Sequence, residues 1–289
     1  MDEQAPDLPL LGEVAIITGA ANGIGRGIAL AFAEAGADIV VADIDTRAGA
    51  VTVSNITEKG RKGLLVETDI RKDADLDRLV EKTLDQFGRI DILVNNAGIN
   101  APGGLLGVSR EDLHSVFDTD LIGPFILTQR VAREMVRLHI AGRVICISSI
   151  HSVVAHYHPY YSAAKIGIER LVIDAALELA PFSIRVNGIR PGGIQIRGEI
   201  ALDSPEIVSP EVPLGKRRGL PDEIASLALF LVSNRARYIT GTTVTIDGGL
   251  SLLSFSSINS RDNILAEQAR MGIPAPVENS SLIVNVIPK

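Results

Sequence analysis

The run Val14-Ala15-Ile16-Ile17-Thr18 is almost wholly apolar and stops abruptly in Gly19-Ala20-Ala21-Asn22-Gly23-Ile24-Gly25. A strand without polar alternation is buried on both faces, which requires a sheet covered by helices on both sides. The apolar stretch from Ile28 to Ala33, closed by Gly36, then reads as a helix. The same pairing recurs along the chain. Strands are expected at 38–42, 63–68, 91–95, 143–148, 183–187 and 242–246, and helices over about 46–59, 73–87, 110–117, 120–139, 159–180 and 221–233. Strict strand-helix alternation demands parallel strands joined by right-handed crossovers. The predicted class is α/β, a single doubly wound parallel sheet of about seven strands flanked by helices.

Residues 12–250 are expected to form that one domain, after an irregular arm at 1–11 and before a C-terminal extension at 251–289. Within the extension, a short helix from Ser260 to Met271 and a strand at 281–286 are expected, packed on the domain or serving oligomer contacts. The net charge of −7, with no Lys/Arg block, argues against nucleic acid as a partner. No apolar run approaches the ~18 residues that a membrane span needs. Met1 to Pro9 is acidic and has neither a basic nor an apolar leader region, so no signal peptide is expected. The one cysteine, Cys146, lies in the apolar run Val144-Ile145-Cys146-Ile147 and reads as a small buried hydrophobe; a reducing, cytoplasmic setting fits.

Between the first strand and the first helix the glycines have separate tasks. Gly19 permits a sharp turn, Gly23 lets a diphosphate approach the backbone, and Gly25 allows close packing of the helix. The helix N-terminus, with Asn22 and Ile24 beside those glycines, offers free N–H groups and the positive end of its dipole. Asp43 closes the second strand, where a carboxylate accepts hydrogen bonds from both adenosine ribose hydroxyls and repels a 2′-phosphate. The expected cofactor is therefore NAD. Asp69-Ile70 and Asn96-Ala97-Gly98 also end strands, which is where ligands bind in open α/β sheets; Asp69 can accept from an adenine amino group.

Tyr161 and Lys165, four residues apart, share a helix face. A phenol has an ordinary pKa of about 10, and a nearby ammonium lowers it, so the pair is a candidate acid/base device. The loop before it, with His151, His156, Tyr157, His158 and Tyr160, reads as a polar substrate pocket; the His-x-His there lacks the further ligands of a metal site, so none is expected.

Together these motifs resemble the short-chain dehydrogenase/reductase family over about residues 12–250. They are Thr18-Gly19 through Gly25, Asn95-Asn96-Ala97-Gly98, Ser148-Ser149, Tyr161 with Lys165, Asn187 through Pro191-Gly192, and Asp247-Gly248-Gly249. The resemblance implies a Rossmann-like fold and hydride transfer between a nicotinamide and a secondary alcohol or ketone. It implies that Tyr161 exchanges the proton, Lys165 lowers the tyrosine pKa and bonds the nicotinamide ribose, and a serine bonds the substrate oxygen. It also implies cofactor contacts from Pro191, Gly192 and Ile194, and a homotetramer or homodimer built on the helices around 120–139 and 159–180. Strand alignment selects Ser149 for the serine role, whereas the family's usual spacing to the tyrosine selects Ser148; Ser149 is preferred. Two residues leave the family pattern. Asp120 stands where an Asn supports a proton path to the lysine, and Ile196 where a Thr bonding the carboxamide is common. The expected substrate is a small polar molecule such as a sugar, polyol or hydroxy acid. The alternatives are a catalytically weakened dinucleotide sensor or scaffold, and a 3-oxoacyl or steroid-type reductase.

Overall fold

The computed structural model describes residues 8–196, 209 and 211–253. Seven strands, β1 (Val14–Thr18), β2 (Asp38–Asp43), β3 (Gly63–Glu67), β4 (Ile92–Asn95), β5 (Arg143–Ile147), β6 (Arg185–Pro191) and β7 (Thr243–Ile246), form one sheet. Their order is β3-β2-β1-β4-β5-β6-β7 and every pair is parallel. The order reverses between β1 and β4, which opens a crevice at the carboxyl ends of those strands. The doubly wound sheet expected from the apolar runs is the sheet observed.

The central strands feed both helical layers, because alternate side chains point to opposite faces. Ala15, Ile17, Ile39, Val41, Val94 and Ile145 meet α1 (Gly23–Glu34) and α8 (Pro221–Val232) through Ile28, Phe32, Ala225 and Leu231. Ile16, Val40, Leu93, Val144 and Cys146 meet Leu79 of α3 (Asp73–Phe87), Val131 of α6 (Gly123–Arg137) and Val172 of α7 (Pro159–Leu179). Phe32 is wholly buried; truncating such a ring to Ala costs about 3–5 kcal/mol. The end of the expected N-terminal arm also belongs to this core. Leu10 is fully buried and its N–H donates to the Ala35 carbonyl at 2.9 Å.

The remaining helices are α2 (Thr46–Glu58), α4 (Gly104–Gly107) and α5 (Arg110–Phe117). The Asp45 side chain caps α2 by accepting from Ala48 N–H, and Ser109 caps α5 by accepting from Asp112 N–H. Two expectations are corrected. The helices expected at 110–117 and 120–139 join through a single π turn, Asp118–Ile122, in which Gly123 N–H reaches back to the Asp118 carbonyl. Pro124 has no N–H to give the Asp120 carbonyl, so the regular ladder cannot pass through this point. The sixth strand, expected at 183–187, runs from Arg185 to Pro191 instead, because Ser183 takes a left-handed conformation (φ 59°) and defers its start. The expectations for 197–208 and for the helix and strand beyond 253 lie outside the described residues.

Candidate active site

The crevice at the reversal of strand order begins with the glycine loop. Gly19 (φ 65°) and Gly23 (φ 55°) hold left-handed conformations that other residues resist. At Gly25 a methyl group would come within 2.3 Å of the Gly19 carbonyl oxygen, so only glycine lets the helix approach. The loop is tied to β4 by Asn96, whose Nδ2 donates to the carbonyls of Thr18 (2.8 Å) and Gly19 (3.1 Å), while its N–H donates to Thr18 Oγ1 (2.9 Å). The Asn96 side chain thus shapes the loop. Asn22 starts α1 without capping it, and the first turn holds no acidic residue. An uncapped, acid-free helix start behind a glycine turn fits a diphosphate.

Asp43 stands beside that loop. Its Oδ2 accepts from Ala21 N–H and its Oδ1 from Asp45 N–H, both at 2.9 Å. Each carboxylate oxygen keeps a further lone pair for a hydroxyl donor. Asp69 is more fully engaged. Arg71 grips both its oxygens at 2.8 Å, and this pairing, against the effect of burial, lowers its pKa to about 2. Ile70 packs its side chain into the apolar core, which leaves a ligand only its backbone. At the far side, Pro191 ends β6, and a methyl group on Gly192 would strike Asp247 at 2.7 Å. Ile194 bridges Gly219, and a methyl group on Gly23 would meet the Ile196 side chain at 3.3 Å. Ile196, the residue that departs from the expected Thr, therefore lies over the glycine loop.

The first turns of α7 carry Tyr161 and Lys165. The Lys165 ammonium is buried and lies 5.5 Å from the centre of the Tyr161 ring. It donates to the Ile147 carbonyl at 3.2 Å and sits 3.1 Å from Asp120 Oδ2 on the π turn. That separation makes an ion pair, although Oδ2 is poorly aligned as a hydrogen-bond acceptor and is otherwise unpartnered. The other oxygen, Oδ1, accepts from Ile99 N–H at 2.8 Å. Burial pushes the Asp120 carboxyl above its ordinary range, and the Lys165 charge pulls it part of the way back. Burial works against the Lys165 ammonium, but the Asp120 carboxylate and then Tyr161 hold its pKa above the ordinary lysine value. Gly98 faces the pair so closely that a methyl group would lie 3.1 Å from Asp120 Oδ2 and 3.3 Å from Lys165 Nζ.

The two serines part at the end of β5. Ser148 Oγ lies 2.7 Å from Glu169 Oε1, on α7, while Ser149 Oγ accepts from His151 N–H in the loop before Tyr161. Glu169 was not singled out in the sequence, where it reads as an ordinary helix charge. It gathers Ser148, Ser152 (2.5 Å) and Arg190 of β6, whose Nε donates at 2.8 Å and whose second guanidinium nitrogen pairs with Oε2. An i, i+4 spacing from Lys165 was the one available signal. His151, His156 and His158 form a row of imidazoles beside Tyr161. Among the described residues no group of acidic, His or Cys side chains is arranged to hold a metal. A groove of about 670 Å³ opens at the other end of the strands, and its charges already pair as Arg143–Glu13 and Arg89–Asp91.

The family described as "Enoyl-(Acyl carrier protein) reductase" matches residues 19–251. Among curated relatives, a "3-oxoacyl-[acyl-carrier-protein] reductase" of Synechocystis sp. is 38% identical over 250 residues, 83% of this chain and 98% of the relative. "Glucose 1-dehydrogenase 2" of Bacillus subtilis is 34% identical over 249 residues, 84% of this chain and 96% of the relative. A solved "short-chain type dehydrogenase/reductase from Mycobacterium marinum" superposes with a TM-score of 0.78 at 34% identity, covering 84% of this chain and 98% of that one.

Proposed function

This chain belongs to the short-chain dehydrogenase/reductase family and is an oxidoreductase acting on CH–OH groups, and we propose that it interconverts a small polar secondary alcohol and its ketone with NAD. The observation that carries the reading is the buried Lys165 ammonium 5.5 Å from the Tyr161 ring. In water a tyrosine is too weak an acid to give up its proton near neutrality; a desolvated ammonium stabilises the phenolate, because its field is little screened.

In the oxidation direction Tyr161 Oη takes the proton from the substrate hydroxyl, and in reduction it returns it. Ser149 hydrogen-bonds the same substrate oxygen, since Ser148 is drawn to Glu169. Lys165 sets its positive charge beside Tyr161 and would bind the nicotinamide ribose. The nicotinamide, when bound, accepts or supplies the hydride. The glycine loop at Gly19, Asn22, Gly23, Ile24 and Gly25 would hold the diphosphate, and Asp43 the adenosine ribose. Asp69, Ile70, Asn96, Ala97, Gly98, Pro191, Gly192 and Ile194 would complete the cofactor contacts. The Asp43 carboxylate beside Ala21 supports NAD over NADP, because it would repel a 2′-phosphate.

The polar loop at 151–161 supports a sugar, polyol or hydroxy acid as substrate. A 3-oxoacyl thioester is the second reading, suggested by the name of the 38% identical relative. The chain is further read as a cytoplasmic homotetramer or homodimer. Exposed apolar side chains on α6 and α7, including Phe125, Ile166, Ile173 and Leu177, support that assembly. Among the described residues no helix is long and apolar enough to cross a membrane. Initial rates on a panel of alcohols and ketones with NAD(H) and NADP(H), followed at the nicotinamide absorbance, test the activity and the cofactor together. No turnover of any alcohol or ketone with either cofactor would overturn the reading. Light scattering that shows a monomer at micromolar concentration would overturn the assembly.

A further inference from the structure

Two ring nitrogens close to Tyr161 have no bonding partner. His151 and His156 stack with centroids 3.7 Å apart and planes 20° from parallel, and His151 meets the Tyr161 ring edge-on at 6.2 Å. The Nδ1 atoms of both histidines are shut off from solvent and make no hydrogen bond. His158, next in the row at 4.8 Å from His156, is used differently. Its Nδ1 pairs with the Tyr160 hydroxyl at 2.7 Å, and that hydroxyl is anchored on the carbonyls of Ala101 and Pro102. One histidine therefore fixes the loop; of the two that keep unused polar atoms, His151 borders Tyr161 and His156 stacks on His151.

A buried polar atom without a partner carries an uncompensated desolvation cost. A ligand that supplies the missing bond recovers that cost. Burial first, then the neighbouring imidazoles, keeps both rings below the ordinary histidine range, so they are neutral near pH 7. A neutral imidazole presents one donor and one acceptor. Its complement is a hydroxyl, which also both donates and accepts and so serves either ring tautomer; a carboxylate or phosphate only accepts and cannot satisfy the acceptor nitrogen. The row of rings flanks Tyr161, so the group it meets lies a short way along the substrate from the reacting carbon.

We infer that His151 and His156 bind a second hydroxyl of the substrate, which makes vicinal diols and polyols, rather than monohydric alcohols, the preferred substrates. The inference rests on Tyr161 being the acid/base residue of the site.

The test compares oxidation of cyclohexanol and of its vicinal diol, with NAD, by the wild-type enzyme and by the His151→Leu, His156→Leu and His151→Gln variants. The wild type is expected to favour the diol in kcat/KM by about 10²-fold or more. Either Leu substitution should shrink that ratio at least about tenfold, mainly through a raised KM for the diol. His151→Gln, which keeps a donor and an acceptor, should retain part of the preference. A wild-type ratio near one overturns the inference and leaves the Tyr161 reading intact, and this measurement needs no variant to fold. A preference for the diol that survives in both Leu variants, with their melting curves unchanged, overturns it as well. Failure of the wild type to oxidise either alcohol, or any other in the panel, overturns both readings.

Discussion

The Ser148 hydroxyl lies 2.7 Å from Glu169 Oε1, across the groove between β5 and α7. In the proposed mechanism this contact leaves Ser149, rather than Ser148, to face the substrate. The same carboxylate holds Ser152 and Arg190, so the turn between Ser148 and Ser152 is fixed at both ends by one residue of α7. Burial alone would raise the Glu169 pKa, but Arg190 and the two hydroxyls hold it below the ordinary range. It is therefore a charged anchor at neutral pH.

Glu169→Gln should loosen that turn and misplace Ser149. A small displacement of a group that positions the substrate costs rate strongly, so kcat should fall about tenfold with little change in NADH affinity. The apparent pKa of the oxidation rate should not move, because Tyr161 and Lys165 are left in place. Ser148→Ala should cost only a few-fold and Ser149→Ala about 10²-fold. The reverse order in steady-state kinetics would assign the substrate contact to Ser148.

Tyr161→Phe keeps the ring and removes the proton carrier. Turnover should fall by about 10² or more while NADH binding, followed by fluorescence titration, barely changes. A variant that retains near-native turnover would remove Tyr161 from the mechanism.

Much of this was legible in the chain. β1, β2 and β4 stand out because burial on both faces removes polar alternation, and Gly19 and Gly25 sit where the backbone conformation or the nearby carbonyl admits nothing larger. The motif resemblance supplied the roles proposed for Tyr161 and Lys165. Strand alignment already preferred Ser149 over Ser148, but the contact that engages Ser148 comes from Glu169, 21 residues further along, and no local pattern marks it. The start of β6 was obscured by the left-handed Ser183, and the π turn at Asp118–Ile122 by a helical pattern that continues through it. The pairing of Asp120 with Lys165 is a tertiary contact that no local pattern announces.

Asp43→Ala should weaken NAD binding and raise the relative use of NADP, together changing the NAD/NADP ratio of kcat/KM by about tenfold or more. The carboxylate is placed for this by its two backbone contacts, to Ala21 and Asp45. An unchanged ratio in initial-rate assays would place the adenosine ribose elsewhere.

Asp69 gives a pH signature of stability. Its folded-state pKa is depressed to about 2, chiefly by the Arg71 hydrogen bonds. A depressed carboxylate contributes stability that is full above its unfolded pKa of about 4 and is lost as pH falls through the folded value. Asp69→Asn should therefore melt lower than the wild type at pH 6, and the gap should close as the pH falls towards 2. A gap in melting temperature that stays constant from neutral to strongly acidic pH would show that the Asp69 charge contributes nothing.

The most informative substitution is Asp120→Asn, at the point where the chain leaves its family's pattern. Asp120 lies 3.1 Å from Lys165 Nζ, and both side chains are almost fully removed from solvent. Its negative charge holds Lys165 in the ammonium form but cancels part of the field that the ammonium exerts on Tyr161. Asn has nearly the same volume and can keep the Ile99 contact through its side-chain oxygen. With the carboxylate gone, burial and the lost partner should lower the Lys165 pKa, yet any ammonium that remains acts on Tyr161 undiminished. The apparent pKa of alcohol oxidation should fall, and activity near neutral pH should rise. Removing one member of a buried pair carries a stability penalty of a few kcal/mol, so the melting temperature should drop even as the rate improves. That opposition of rate and stability separates an electrostatic brake on Tyr161 from a merely structural pair. A pH–rate profile that matches the wild type would mean that Asp120 is neutral in the folded enzyme and that its charge never reached the tyrosine.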